Sequence, residues 1–194
     1  MAFDPQIHHR HSIRVRGYDY SQPGAYFVTL CALKKQCIFG KVQGADVELS
    51  QFGEMVRACW LWLGKHYDCV FLDEWILMPN HLHGIIVIQE LNENGAGRQV
   101  PRYPGDSVRS DAFRGGSRTA PTTRGKPLGS LIGAFKTVST RRVNELRGTP
   151  SAVLWPRNYY DHIVRNDVEL GQIRQYVRTN PLMWHGDPEY RGGS

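Results

Sequence analysis

The stretch from Val70 to Ile88 limits the fold of this chain more than any other. Val70-Phe-Leu-Asp-Glu-Trp-Ile-Leu77 is rich in β-branched and aromatic residues and reads as a strand. Met78-Pro-Asn80 reads as a turn, and His81-Leu-His-Gly-Ile-Ile-Val-Ile88 as a second strand. The apolar run that ends the second strand is that of a strand covered on at least one face. A sheet with other elements packed on it is therefore required, and 194 residues with 41% hydrophobic and 22% charged side chains suffice for one core.

The flanking sequence supplies those other elements. Residues 1–20, with His8-His-Arg-His-Ser-Ile-Arg-Val-Arg16, show neither helical nor alternating pattern and read as a basic arm. After Pro23-Gly24 a first strand starts in Tyr26-Phe-Val-Thr-Leu-Cys-Ala32, and a hairpin follows across Gly40 to Val47 with Gly44 near its turn. From Ser50, a plausible N-cap, Phe52, Met55, Val56, Cys59 and Leu63 recur at three- and four-residue steps, which predicts a helix ending near His66. Residues 92–126 hold six Gly, three Pro, seven Lys/Arg and three acids without periodicity, the composition of a mobile basic insertion rather than a second domain. Leu128, Leu131, Ile132, Phe135, Val138 and Leu146 mark a long amphipathic helix with Lys136, Arg141 and Arg142 on its exposed side. Leu154 to Val164 supplies a last strand. A final helix starts at Asn166 or Asp167, where Asn166 and Glu169 resemble a capping box; it points Ile173 and Val177 at the core and ends at Pro181. This order predicts an α+β chain, a mainly antiparallel sheet with helices packed on it, as a single domain over residues 21–184 with a tail at 185–194.

Twenty-four Lys and Arg against 18 acids, a net charge of +6, favour a polyanionic partner, with nucleic acid foremost. Cys31, Cys37, Cys59 and Cys69 lack C-x-x-C spacing and sit in apolar surroundings, so they are expected as reduced, mostly buried thiols rather than zinc ligands or disulfides. Apolar runs such as Phe27 to Leu33 fall far short of the ~20 residues of a spanning helix. The polar start Met1-Ala-Phe-Asp-Pro5 is not a signal peptide, and the expected location is the cytoplasm.

His81 and His83 lie two apart on a predicted strand, so both imidazoles emerge on one face. Two neutral imidazoles on a rigid strand suit a divalent transition ion with positions left for a substrate oxygen and a further protein ligand; as an isolated tripeptide, such a pair in a half-exposed strand is more often structural. Tyr159 and Tyr160 are rival nucleophiles beside His162, a candidate extra ligand, but their place on a strand favours core and DNA-facing aromatics and a hydrogen-bonded structural histidine. A small metal-dependent hydrolase would need an acid near the histidines, for which Asp73 and Glu74 are the nearby residues.

Several motifs in order resemble one family. These are Arg14 through Gly17-Tyr-Asp-Tyr20 to Tyr26-Phe-Val-Thr29, Met78-Pro-Asn-His-Leu-His-Gly-Ile-Ile-Val87, Trp155-Pro-Arg-Asn-Tyr-Tyr-Asp-His-Ile-Val-Arg-Asn166, and Tyr176-Val-Arg-Thr-Asn-Pro181. Over most of its length the chain resembles the REP-associated tyrosine transposases, members of the His-hydrophobic-His (HUH) single-strand DNA nucleases. That resemblance implies a ferredoxin-like sheet, a catalytic tyrosine at Tyr176 on the helix after the last core strand, and a polar metal ligand four residues later at Asn180, beside His81 and His83. Residues four apart share a helix face, which agrees with one helix presenting both. The resemblance further implies cleavage of single-stranded DNA with Mg²⁺ or Mn²⁺, leaving a 5′-phosphotyrosine and a free 3′-hydroxyl, and a hairpin substrate from palindromic repeats. Phosphate and base contacts would come from Arg14, Arg16, Lys136, Arg141, Arg142, Tyr159 and Tyr160, and a homodimer is compatible with the sequence. A hairpin-binding regulator without catalysis is the alternative on the same fold.

Overall fold

A computed structural model describes residues 18–90, 126–187 and 189 of the chain. The expected hairpin is present as β4 (Val70–Leu77) and β5 (His81–Ile88), joined through Pro79. β5 pairs antiparallel with β1 (Gly24–Cys31), and β1 pairs antiparallel on its other side with β6 (Tyr160–Val164). The order β4-β5-β1-β6 is a four-stranded, wholly antiparallel, ferredoxin-like sheet. A separate two-stranded ribbon, β2 (Gly40–Gln43) and β3 (Asp46–Leu49), turns at Gly44, whose φ of 63° is left-handed.

Pleating divides the sheet into two unlike faces. Tyr26, Val28 and Leu30 of β1 and Leu82, Ile86 and Ile88 of β5 point to one face, where they form the main core with α1 (Gln51–His66) and α2 (Leu128–Arg147). Ser50 caps α1 as expected, its Oγ accepting from Gly53 N at 3.1 Å. Trp60 of α1 lies directly on β5. A Cβ at Gly84 would stand 2.5 Å from Trp60 Cζ2, so the strand admits that ring only because residue 84 has no side chain.

The opposite face is covered by α3 (Asp167–Thr179) through a small cluster of Phe27, Ile85, Ile173 and Val177. Asn166 caps α3, its Oδ1 accepting from Glu169 N at 2.9 Å. Pairing of β4 with β5 shifts register between Leu72 and Trp75, a bulge beside which Asp73 and Glu74 both reach α3. Arg174 donates to Asp73 at 2.9 and 2.6 Å, and Arg178 to Glu74 at 2.8 Å. The consecutive acids thus meet guanidinium groups four residues apart on one helix face.

Several expectations need correction. The last strand covers only Tyr160–Val164; residues 154–159 are irregular, although Leu154 and Trp155 are buried in the main core. Pro156 has no N–H to give a ladder, and the carbonyls of Pro156, Arg157 and Asn158 are instead taken by Lys136 Nζ at 2.8–3.3 Å. Lys136 is therefore turned inward and half-buried, Arg142 is half-buried, and of that trio Arg141 alone is exposed. Leu146, expected on the core side, is 44% exposed near the end of α2, whose C-cap Gly148 is left-handed. Pro181 does not end the helical winding: a 3₁₀ segment runs over Asn180–Gly186, whose first turn needs no N–H from proline. Asp187 and Glu189, assigned to a tail, are buried. The four cysteines are unbridged, with Cys59 and Cys69 buried but Cys37 exposed. Arg14, Arg16 and nearly all of the basic arm and the 92–126 insertion lie outside the described residues. No helix among the described residues is long and apolar enough to cross a membrane.

Candidate active site and metal centre

β5 sends His81 and His83 to the α3 face, where both are buried with ring centroids 4.4 Å apart. Phe27 of β1 stacks on His83 at 5.5 Å, and Trp184 of the 3₁₀ segment lies 5.9 Å from His81. α3 carries Tyr176 over the pair, so that its hydroxyl stands 3.3 Å from His83 Nε2. The Tyr176 ring also meets Phe27 edge-on at 6.1 Å, so Phe27, His83 and Tyr176 pack as one three-ring cluster. Asn180, one turn on, is buried and donates through Nδ2 to Asp187 Oδ2 at 2.8 Å. The structure thus brings His81, His83, Tyr176 and Asn180 into one place from two elements far apart in sequence.

Asp187 joins them. One ligand atom each from His81, His83 and Asp187 lie within 4.8 Å of one another, and all three residues are buried. Asn180 Oδ1 is a buried oxygen with no hydrogen-bond partner among the described residues. Such an atom, on the amide that donates to Asp187, is costly unless something electropositive faces it. The mixed nitrogen and oxygen set fits a divalent cation.

Electrostatics oppose ionisation of the Tyr176 phenol. Burial raises its pKa above the usual phenol value, the charges of Asp187 and Glu189 raise it further, and the Asn180 hydrogen bond opposes them. A positive ion at the cluster would oppose the contribution of Asp187. His83 Nδ1 is tied to Thr29 Oγ1 at 2.8 Å, so its Nε2 is the ring atom turned toward the phenol.

The other predicted residues divide. Tyr160 shares the sheet face of the site, edge-on to Phe27 at 6.2 Å, and burial with Asp161 and Glu169 pushes its phenol up to about 12. Tyr159 belongs to the opposite face, with Lys136 Nζ 5.1 Å above its ring. Burial lowers the Lys136 pKa to about 8, and with its three carbonyl acceptors this amine serves the 156–158 segment rather than solvent. His162 is held by Glu169 at 2.8 Å. Asp73 and Glu74 are occupied by Arg174 and Arg178, so the acid beside the histidines is Asp187.

Sequence reasoning missed Asp187, Asn80 and Glu189. The sequence places Asn80 in a turn, and its Oδ1 lies 2.7 Å from His81 Nδ1. Its place between Pro79 and His81 is the one local signal available. Asp187 and Glu189 follow the last predicted element and carry no pattern.

No family model matches the chain. An uncharacterized protein of Haemophilus influenzae is 33% identical over 193 residues, 97% of each chain. Among solved structures, a REP-associated tyrosine transposase bound to a REP hairpin is similar with a TM-score of 0.52 and 15% identity, over 90% of this chain and 74% of that one. The chain therefore belongs to one family with the Haemophilus influenzae protein, on the fold of the REP-associated tyrosine transposase.

Proposed function

We propose that the chain is a metal-dependent tyrosine transposase that cleaves and rejoins single-stranded DNA at hairpin repeats in the cytoplasm. The observation that carries this reading is the Tyr176 hydroxyl 3.3 Å from His83 Nε2, at the edge of a buried His81, His83 and Asp187 cluster. A phenol needed only for packing would not have to bring its oxygen to that edge. The relative solved on a REP hairpin supports the choice of DNA as substrate.

His81, His83, Asp187 and Asn180 Oδ1 would hold the cation, with Mn²⁺ or Mg²⁺ suited to the set. Such an ion supplies Lewis-acid stabilisation of charge on a scissile phosphate. Tyr176 Oη attacks phosphorus, the bond to the 3′-oxygen breaks, and the phenol proton leaves through solvent while the 3′-oxygen gains one. The bond energy kept in the 5′-phosphotyrosine allows a 3′-hydroxyl to reverse the step, so joining needs no nucleotide cofactor. Phe27 and the Arg174 and Arg178 pairs restrict the phenol to this approach. Arg141, exposed and paired with Glu145 at 3.8 Å, would exchange that solvent-screened pair for a phosphate contact.

A labelled single-stranded hairpin incubated with Mn²⁺ tests the reading. Wild type is expected to form a covalent adduct on a denaturing gel, and Tyr176→Phe to shift the hairpin equally yet form none. Adduct that persists in Tyr176→Phe and vanishes in Tyr160→Phe would move the nucleophile to β6. A shift without adduct in wild type would identify a hairpin-binding regulator.

A further inference from the structure

We infer that Asn80 is a positioning residue whose single amide sets the His81 tautomer and seats the segment that carries Asp187. The inference rests on the metal site proposed above and concerns residues outside the ligand set.

The amide orientation follows from its acceptors. Asn80 Nδ2 donates to Lys35 O at 3.2 Å and to Glu189 O at 2.8 Å. Backbone carbonyls only accept, so the NH₂ group must face them and Oδ1 must face His81. At 2.7 Å from that oxygen, His81 Nδ1 must be the donor. In the neutral ring Nε2 then carries the lone pair, 4.0 Å from Asp187 Oδ2. His83 differs: the hydroxyls at its two nitrogens, Thr29 Oγ1 and Tyr176 Oη, each donate or accept, and these contacts leave its tautomer open.

The same amide fastens the end of the chain. Glu189, whose carbonyl it holds, donates its N–H to Asp187 Oδ1 at 2.6 Å, while Asn180 Nδ2 takes Asp187 Oδ2. Glu189 is held from the other side by Lys35 Nζ at 2.6 Å and by the Cys31 thiol at 3.2 Å. Lys34 and Lys35 have φ of 56° and 55°, left-handed values unusual for lysine. That turn presents Lys35 O to Asn80 and Lys35 Nζ to Glu189. Three distant segments, the 33–35 turn, the histidine strand and residues 187–189, thus converge on one side chain. Groups that orient metal ligands in this way commonly contribute 10–100-fold in affinity.

Side-chain ¹⁵N shifts of His81 in the metal-free protein, recorded above the usual imidazole pKa of ~6.5, read the tautomer directly. Mn²⁺ titration reads the affinity. Wild type should show Nδ1 protonated and Nε2 bare. Asn80→Ala should give a tautomer mixture with Mn²⁺ bound about 10–100-fold more weakly. Asn80→Asp, which keeps an acceptor for His81 but turns oxygen toward two carbonyls, should keep the tautomer and lose affinity. An Nε2–H tautomer in wild type, or an unchanged tautomer and affinity in Asn80→Ala, overturns the inference. Should Asn80→Ala fail to fold, Lys35→Met decides the seating role: weaker Mn²⁺ binding with the wild-type tautomer supports it, and unchanged binding overturns it. Absence of Mn²⁺ binding in wild type would instead sink the metal reading, while the His81 tautomer would still report on Asn80.

Discussion

The two faces of the sheet are built from the same strands and follow different physics. On the α1 and α2 face, β1 and β5 present Tyr26, Val28, Leu30, Leu82, Ile86 and Ile88 to a continuous apolar core. On the α3 face the alternate residues include Thr29, His81 and His83, and the apolar contribution shrinks to Phe27, Ile85, Ile173 and Val177. There two ion pairs, Arg174 on Asp73 and the more exposed Arg178 on Glu74, supplement the hydrophobic contact of α3. One face carries the stability of the domain, which lets the other carry buried polar groups that stability alone would not select. A domain this size can host an unfavourable polar cluster because the core behind it is complete.

The largest effect should come from breaking the apolar face. Trp60→Ala removes a fully buried ring from over Gly84 and should destabilise the fold by about 3–5 kcal/mol. Denaturant unfolding measures this, and a loss under 1 kcal/mol would show that the two faces share the load. On the polar face the matching change is His81→Ala with His83→Ala. It should remove the stabilisation by Mn²⁺, about 2.7 kcal/mol for wild type at a hundredfold excess over Kd, while metal-free stability falls less than in Trp60→Ala. A thermal shift that survives the double change would place the ion elsewhere.

Smaller is the expected effect of loosening α3. Arg174→Met leaves Asp73 without its guanidinium partner in a part-buried setting, and about 1–2 kcal/mol is expected, between the exposed and the buried limits. Adduct formation should slow by more than hairpin binding weakens, since α3 aims Tyr176; equal losses in both would argue against an aiming role. The smallest concerns Glu169, at the start of α3. Burial alone would raise its pKa, but the Arg165 N–H and His162 together hold it below the usual value. A carboxylate with a depressed folded pKa contributes stability above its unfolded pKa, and that contribution fades as pH falls through the folded value. Below about pH 5 the stability difference between wild type and Glu169→Gln should therefore shrink as pH falls. A difference that grows on acidification would reverse the sign.

Elements with strong local signals were legible. Ser50 and the spacing of Val56, Cys59 and Leu63 define α1, and Pro79 between two β-rich runs defines the hairpin, because caps, turns and periodicity act over a few residues. The strand expected from Leu154 starts only at Tyr160, because Trp155 is drawn into the main core, with its Nε1 on Ser139 at 2.9 Å, and the backbone there stays outside the sheet. Helical phase puts Lys136 on the solvent side of α2. Its long stem carries the amine back to three carbonyls that an irregular segment leaves unmatched.

By itself the sequence determined the alternation on β5 that puts both histidines on one face, and the four-residue step that puts Asn180 one turn after Tyr176. Only the tertiary structure decided which tyrosine meets His83, which acid joins the pair and what holds His81. Tyr176 and His83 are 93 residues apart, and Asn80 and Glu189 are 109 apart. Contacts over such separations arise from how the sheet is covered, through the bulge at Asp73 and Glu74 that seats α3 and the left-handed turn that brings Lys35 to Glu189. Local propensity acts over a turn or a strand and carries no term for either.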